Sequence, residues 1–191
     1  MPIGRAYGHG VRIVGGTLGG RKLESPRTGA SSIRPTSERA REAIFNMLTS
    51  LQSMDGIVVL DLFAGTGALG MEALSRGAAH ATFVDADAAA CRTVTSNLEA
   101  LDIADNAAVV RSDVWGFLAR HSSPADLAFA DPPYVFDRWR ELLESVPADV
   151  LVCESDREIA PGMHTGWQTH RVRRYGTPVI TVLTRRIADG D

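Results

Sequence analysis

The sequence predicts a doubly wound α/β fold: a parallel sheet covered by helices on both faces and closed by an antiparallel hairpin. Three observations carry this. Five short apolar runs recur between residues 57 and 154, separated by stretches of helical period. Strands that alternate with helices need crossover connections, and strands buried on both faces read as continuous apolar runs. The alternation then stops, and two strand-like runs joined by a short turn end the chain. Finally, 191 residues with 45% hydrophobic and 23% charged side chains suit one ordinary domain with a sizeable core.

Taken in order, residues 1–10 read as a disordered start. VRIVGGTLGGRKLESP (11–26) contains two β-prone runs broken by Gly15-Gly16 and Gly19-Gly20. Paired glycines supply the positive φ of tight turns, which predicts a small hairpin. Residues 27–35 form a polar loop. Thr36 or Ser37 caps a helix whose apolar face is Ala40, Ile44, Phe45, Met47 and Leu48, with Glu38 favourable in its first turn. Strands are expected at 57–61, 81–85, 107–111, 126–130 and 149–154. Helices are expected at 66–76, 87–101, 115–120 and 136–145. The runs GWQTHRVRRYG and TPVITVLTRR, turning at Gly176–Pro178, form the closing hairpin. The organisation is a basic N-terminal arm with a β-hairpin extension (1–35) and a main domain (36–191).

Several function classes are excluded. No apolar run approaches the ~20 residues that span a bilayer, and MPIGRAYGHGVR lacks the apolar segment of a secretory signal. Cys91 and Cys153 lie far apart in predicted regular elements, so no disulfide framework is expected, and the chain reads as cytoplasmic. His9, His80, His121, His164 and His170 show no ligand spacing, so no metal site is expected.

The net charge of -3 hides an asymmetry. Residues 1–50 carry eight Arg or Lys against three Glu, and residues 166–191 carry five Arg against two Asp. The middle is strongly acidic. Basic ends flanking an acidic centre point to a polyanionic partner met by the ends, or to arginines that only solvate exposed termini.

The segment VVLDLFAGTGALGMEAL places Gly65-x-Gly67-x-x-Gly70 directly after a strand and at the start of a helix. Alone, that is a dinucleotide fingerprint. Asp61, at the end of the strand, argues against a pyrophosphate, because two anions in one poorly screened cleft repel. A ligand with an ammonium group and a sulfonium centre is favoured instead, and S-adenosylmethionine has both. Asp85, at the tip of the second strand, can accept its ribose hydroxyls, and Asp113, after the third, its adenine amino group. Each aspartate alone is more often a helix cap. Three at successive strand ends line one crevice, as expected for open α/β sheets.

Asp131-Pro132-Pro133-Tyr134 follows the fourth strand at the same sheet edge. Prolines fix φ and donate no N–H, so the loop is stiff and its carbonyls are aimed. An amino group on a nucleobase is a poor nucleophile because its lone pair is delocalised into the ring. The Asp131 carboxylate and the Pro132 carbonyl can hold its two N–H bonds, while Tyr134 offers a face on which an extruded base stacks. Methylation at C5 of a base would need a thiolate, and both cysteines read as small hydrophobes in regular elements.

RIVGGTLGGRKLESP, IRPTSERAREAIFNML, VLDLFAGTGALGMEALSRGA, FADPPY and VCESDRE together resemble the RsmD-type family, the 16S ribosomal RNA guanine-N2 methyltransferases. The similarity runs from about Arg12 to Arg186. The hairpin and the RPTSERxREAIFNML run are its more specific parts. The resemblance implies a class I S-adenosylmethionine-dependent methyltransferase fold, Rossmann-like, acting on one guanine of 16S rRNA in the small ribosomal subunit or an assembly intermediate. It implies cofactor contacts from Asp61, Phe63, Gly65, Thr66, Gly67, Asp85, Ala86, Asp113 and Val114, with Arg34 and Thr36 folding over the crevice. Asp131 to Tyr134 would hold the guanine, and Arg12, Arg21, Lys22, Arg27 and Arg39 would meet RNA. The residues alone leave two other readings open. One is an N6-adenine or N4-cytosine methyltransferase acting on DNA. The other is a non-catalytic RNA-binding assembly protein built on the same fold.

Overall fold

The computed structural model describes residues 11–25, 37–159 and 166–186. The expectations for residues 1–10 and for the loop at 27–35 lie outside the described residues, as does the alternative cap Thr36. In chain order the elements are α1 (Glu38–Thr49), β1 (Val58–Leu62), α2 (Ala68–Ser75), β2 (His80–Asp85), α3 (Ala88–Leu101) and β3 (Ala107–Arg111). They continue with α4 (Val114–Leu118), β4 (Ala125–Ala130), α5 (Trp139–Ser145), β5 (Ala148–Ser155), β6 (Trp167–Arg174) and β7 (Val179–Arg185).

The seven strands form one sheet in the order β3-β2-β1-β4-β5-β7-β6. β1 to β5 are mutually parallel, and β7 runs antiparallel between β5 and β6. The chain leaves β1 toward β2 on one side and returns to β4 on the other. That reversal opens a crevice at the carboxyl ends of β1 and β4. It is the predicted Rossmann-like arrangement with its antiparallel closure.

Alternation along the strands builds a core on each face. Val59, Phe83, Leu127, Phe129 and Val152 pack with Ile44, Phe45 and Leu48 of α1 on one side. Leu60, Leu62, Val84, Leu151 and Cys153 pack with Leu142, Leu143 and Trp167 on the other. Ser37 caps α1, its hydroxyl accepting the Ala40 N–H at 3.2 Å. Among the described residues no helix is long and apolar enough to cross a membrane.

Most boundaries shift by a residue or two from the sequence reading, and three of the differences lie around the crevice. α2 starts at Ala68 rather than residue 66, because Gly67 takes a left-handed φ of 76° that a helix cannot hold. α5 starts at Trp139 rather than 136, because a turn closed by Phe136 N–H donating to the Pro133 carbonyl follows the proline pair. β1 continues one residue past Asp61 to Leu62.

The N-terminal hairpin is reduced to a single antiparallel bridge, Arg12 to Lys22. Its turn is drawn onto α2 instead of forming strands. The N–H groups of Val14 and Gly15 donate to the Glu72 carboxylate at 2.6 and 2.8 Å, and Leu18 N–H donates to the Ser75 hydroxyl at 2.9 Å. Gly16 has a φ of 75°, and a Cβ there would lie 1.9 Å from the Ser75 carbonyl oxygen, so only glycine permits this approach. Val11, Ile13 and Leu23 are buried in the main core. Residues 11–25 are thus packed into the domain.

Candidate active site

The turn between β1 and α2 is held in an unusual conformation. Phe63 carries a positive φ of 64°, and Gly65 one of 55°. A non-glycine residue in the left-handed region is held there only by its surroundings. Here the Ala64 N–H donates to the Val84 carbonyl at 3.0 Å, and the Gly65 N–H donates to the Asp85 carboxylate at 2.8 Å. Asn97 of α3 adds a brace: its amide donates to the carbonyls of Thr66 and Glu24, and its oxygen accepts the Glu24 N–H.

Asp61 does not end the strand with its carboxylate in the crevice. It is buried, 2% exposed, with Oδ2 accepting the Gly70 N–H at 2.9 Å beneath the first turn of α2. The Gly70 N–H holds the side chain under the start of α2. A Cβ on Gly70 would lie 2.4 Å from the Phe83 ring, so the helix lies against the strand too closely for a larger residue. Burial pushes the Asp61 pKa up to about 7, opposed by the Gly70 N–H and assisted by the nearby Asp85.

The sign of the resulting pH effect is fixed. The folded pKa lies above the ordinary value of 3.8, so the folded state binds more protons than the unfolded one between about pH 4 and pH 7. Stability therefore falls as pH rises through that window and levels off above it. Wild-type protein should lose about 1–2 kcal/mol from this group between pH 5.5 and pH 8. Asp61→Asn should remove most of that loss. Urea midpoints for both proteins at the two pH values measure it, and identical pH dependence would refute the assignment.

Asp85 ends β2 and uses both carboxylate oxygens, one on Gly65 N–H and one on Asp87 N–H, each at 2.8 Å. Asp113 caps α4, accepting the Gly116 N–H at 2.9 Å. Asp85, Asp113 and the DPPY segment open into one cavity of about 560 Å³. Of the residues expected from sequence, Phe63, Gly65, Asp85, Ala86, Asp113, Val114 and Asp131 to Tyr134 line it. Asp61, Thr66 and Gly67 do not; they lie in the buried strand and the turn behind. Arg34 and Thr36 lie outside the described residues, as does Arg27.

Tyr134 lines the cavity and is 41% exposed. Arg12, Arg21, Lys22 and Arg39 are exposed. Arg12 pairs with Glu38 at 2.9 Å, and the Arg21 guanidinium donates to the Ala100 carbonyl at 3.0 Å.

The cavity also has a wall the sequence did not reveal. Trp115 and Phe136 stack nearly parallel, at 8° with centroids 6.1 Å apart. Phe63 meets Phe136 edge-on at 5.5 Å. The Arg138 guanidinium lies 3.9 Å over Trp115 and is held by Glu141. Asp87 and Glu154 complete the lining. Glu154 had a signal in its place at the end of the fifth apolar run. Phe136 and Arg138 had none, since they fell in the first residues of an expected helix that in fact begins only at Trp139.

Neither cysteine lines the cavity. Cys153 is buried in β5; Cys91 is only half-buried, its thiol donating to the Asp85 carbonyl at 3.4 Å. Burial raises both thiol pKa values, with Asp85 adding to the effect at Cys91, which disfavours the thiolate. Among the described residues no three His, Cys, Asp or Glu side chains gather as a metal site.

Comparison with known proteins bears on this geometry. The family described as Conserved hypothetical protein 95 matches residues 11–184. Ribosomal RNA small subunit methyltransferase D of Escherichia coli (strain K12) is 38% identical over 189 residues, spanning 95% of this chain and 92% of that protein. Putative rRNA methyltransferase YlbH of Bacillus subtilis (strain 168) is 38% identical over 187 residues, spanning 92% of this chain and all of that one (100%). The solved structure of the putative methyltransferase yhhF from Escherichia coli superposes with a TM-score of 0.79 at 36% identity. It covers 92% of this chain and 98% of that one.

Proposed function

The chain belongs to the RsmD-type methyltransferase family, and from that premise we propose that it methylates the exocyclic N2 amine of a guanine in 16S rRNA, with S-adenosylmethionine as donor. One observation carries the reading: Asp131-Pro132-Pro133-Tyr134 opens into the same cavity as Asp85 and Asp113.

The residues present fit the donor. Asp85 and Asp113 offer carboxylates to ribose hydroxyls and an adenine amine, and Phe63, Val114, Trp115 and Phe136 offer apolar faces to a flat ring. When bound, the cofactor supplies a methyl group activated by a sulfonium. The chain's own contribution is position and proton acceptance. The Asp131 carboxylate and the Pro132 carbonyl accept the two amine N–H bonds, which turns the nitrogen lone pair out of the ring plane and toward the methyl carbon. Asp131 takes the surplus proton as the nitrogen–carbon bond forms and the sulfur–carbon bond breaks, with the sulfur keeping the electron pair. Tyr134 stacks on the extruded base. Arg12, Arg21, Lys22 and Arg39, with Arg27 beyond the described residues, meet RNA phosphates and set register without reading sequence.

The test is tritiated-methyl transfer to unmodified small ribosomal subunits, naked 16S rRNA and duplex DNA in parallel. Label recovered as N2-methylguanosine from rRNA is the expected result. Label on DNA alone would move the protein to the amino methyltransferases of DNA. Intact cofactor binding with no transfer to any of the three would favour a binding protein.

A further inference from the structure

We infer that Glu154 is the residue that selects guanine, reading its N1–H beside the N2 amine held by Asp131; this rests on the guanine-N2 reading above. The placement comes from strand register. β4 and β5 pair in parallel up to Ala130 opposite Cys153, and Asp131 and Glu154 are the next residues along after that last pair. Phe129 and Val152, two residues back on each strand, share one core, while Ala130 and Cys153 share the other. Alternation therefore carries Asp131 and Glu154 to the same face of the sheet, and both line the cavity. Adjacent strands lie about 4.8 Å apart, close enough for side chains that follow them to converge on neighbouring donors of one base edge.

The chemistry of that edge decides what fits. Guanine presents N1–H next to its N2 amine, two donors side by side. Adenine presents an acceptor, N1, next to its N6 amine, and cytosine presents N3 next to N4. An ionised carboxylate accepts only. Glu154, itself only 5% exposed, can therefore bond guanine, whereas against adenine or cytosine it sets lone pair against lone pair with little solvent to screen them. The buried Arg41 guanidinium of α1 feels the charge of Glu154, along with those of Glu72 and Glu38, so a cation backs this carboxylate. A counter-ion for Arg41 alone would make Glu154 structural. Base preference separates the two roles.

The experiment compares small subunits reconstituted with guanine or with 2-aminopurine at the methylated position. 2-Aminopurine keeps the N2 amine but has an acceptor at N1. Wild-type protein should prefer guanine by on the order of 100-fold or more in kcat/KM. Glu154→Gln should cut the guanine rate by about 10- to 100-fold. It should also shrink the guanine preference at least about tenfold, since its amide can turn a donor toward N1, with cofactor affinity unchanged. Equal wild-type rates on the two bases would overturn the inference without any variant. So would an unchanged preference in Glu154→Gln, and in both cases the guanine reading would stand. Wild-type label on adenine or cytosine instead would overturn both.

Discussion

Asp131→Ala should lower methyl transfer to small ribosomal subunits by about 10³-fold or more while leaving cofactor affinity within about twofold. The separation follows from where the side chain sits. Asp131 follows β4 and lines the cavity with Glu154, whereas Asp85 ends β2 and Asp113 follows β3, on the other side of β1. On the proposed reading, removing the Asp131 carboxylate takes away the group that holds and deprotonates the amine but touches nothing assigned to the donor. Single-turnover transfer measured beside calorimetric binding of S-adenosylmethionine checks both halves. Lost cofactor affinity would move Asp131 into the donor site, and retained turnover would remove it from the chemistry.

The second large effect concerns folding. Glu72→Ala should destabilise the protein by about 3–5 kcal/mol, a fall in Tm of about 10 °C or more for a chain of this length. Glu72 is fully buried and accepts hydrogen bonds from Val14 N–H, Gly15 N–H and the Arg76 guanidinium. Its removal leaves a half-buried cation and two backbone donors facing an apolar gap. Thermal and urea unfolding measure the loss, and a change below about 1 kcal/mol would mean that water replaces the carboxylate without difficulty. Deleting the hairpin has the same drawback as a test of RNA contact, because it strips Val11, Ile13 and Leu23 from the core. Charge reversal at exposed Arg21 and Lys22 probes RNA binding without that cost.

Much of this was legible in the sequence because it depends on neighbours in the chain. The period of the apolar runs marks the five parallel strands, and the glycine spacing marks the turn. Asp85, Asp113 and Asp131 announce themselves by following strands, since strand ends in such sheets face one edge. What stayed hidden depends on partners far away in sequence. Glu72 reads as an ordinary polar position on a helix, and only the return of residues 14 and 15, nearly sixty positions earlier, turns it into a buried anchor. The crevice position expected of Asp61 follows from its place at a strand end, but the Gly70 N–H, nine residues on, draws its carboxylate under α2. Trp115, Phe136 and Arg138 form a wall only once α4 and the turn after Pro133 meet.

Helix α2 is eight residues long, about 12 Å, and seven of those residues are buried. Its first turn covers Asp61 through Gly70, and its last turn holds the hairpin through Glu72 and Ser75. For anyone building chimaeras to retarget such an enzyme, the hairpin is therefore not an exchangeable cassette. A donor hairpin brings backbone N–H groups that need a carboxylate at position 72 and a hydroxyl at 75, and it needs a glycine at 16 to approach that helix. The smallest graft that keeps these contacts is not a contiguous one: residues 11–25 must travel together with 61–76, as a matched pair drawn from the same parent.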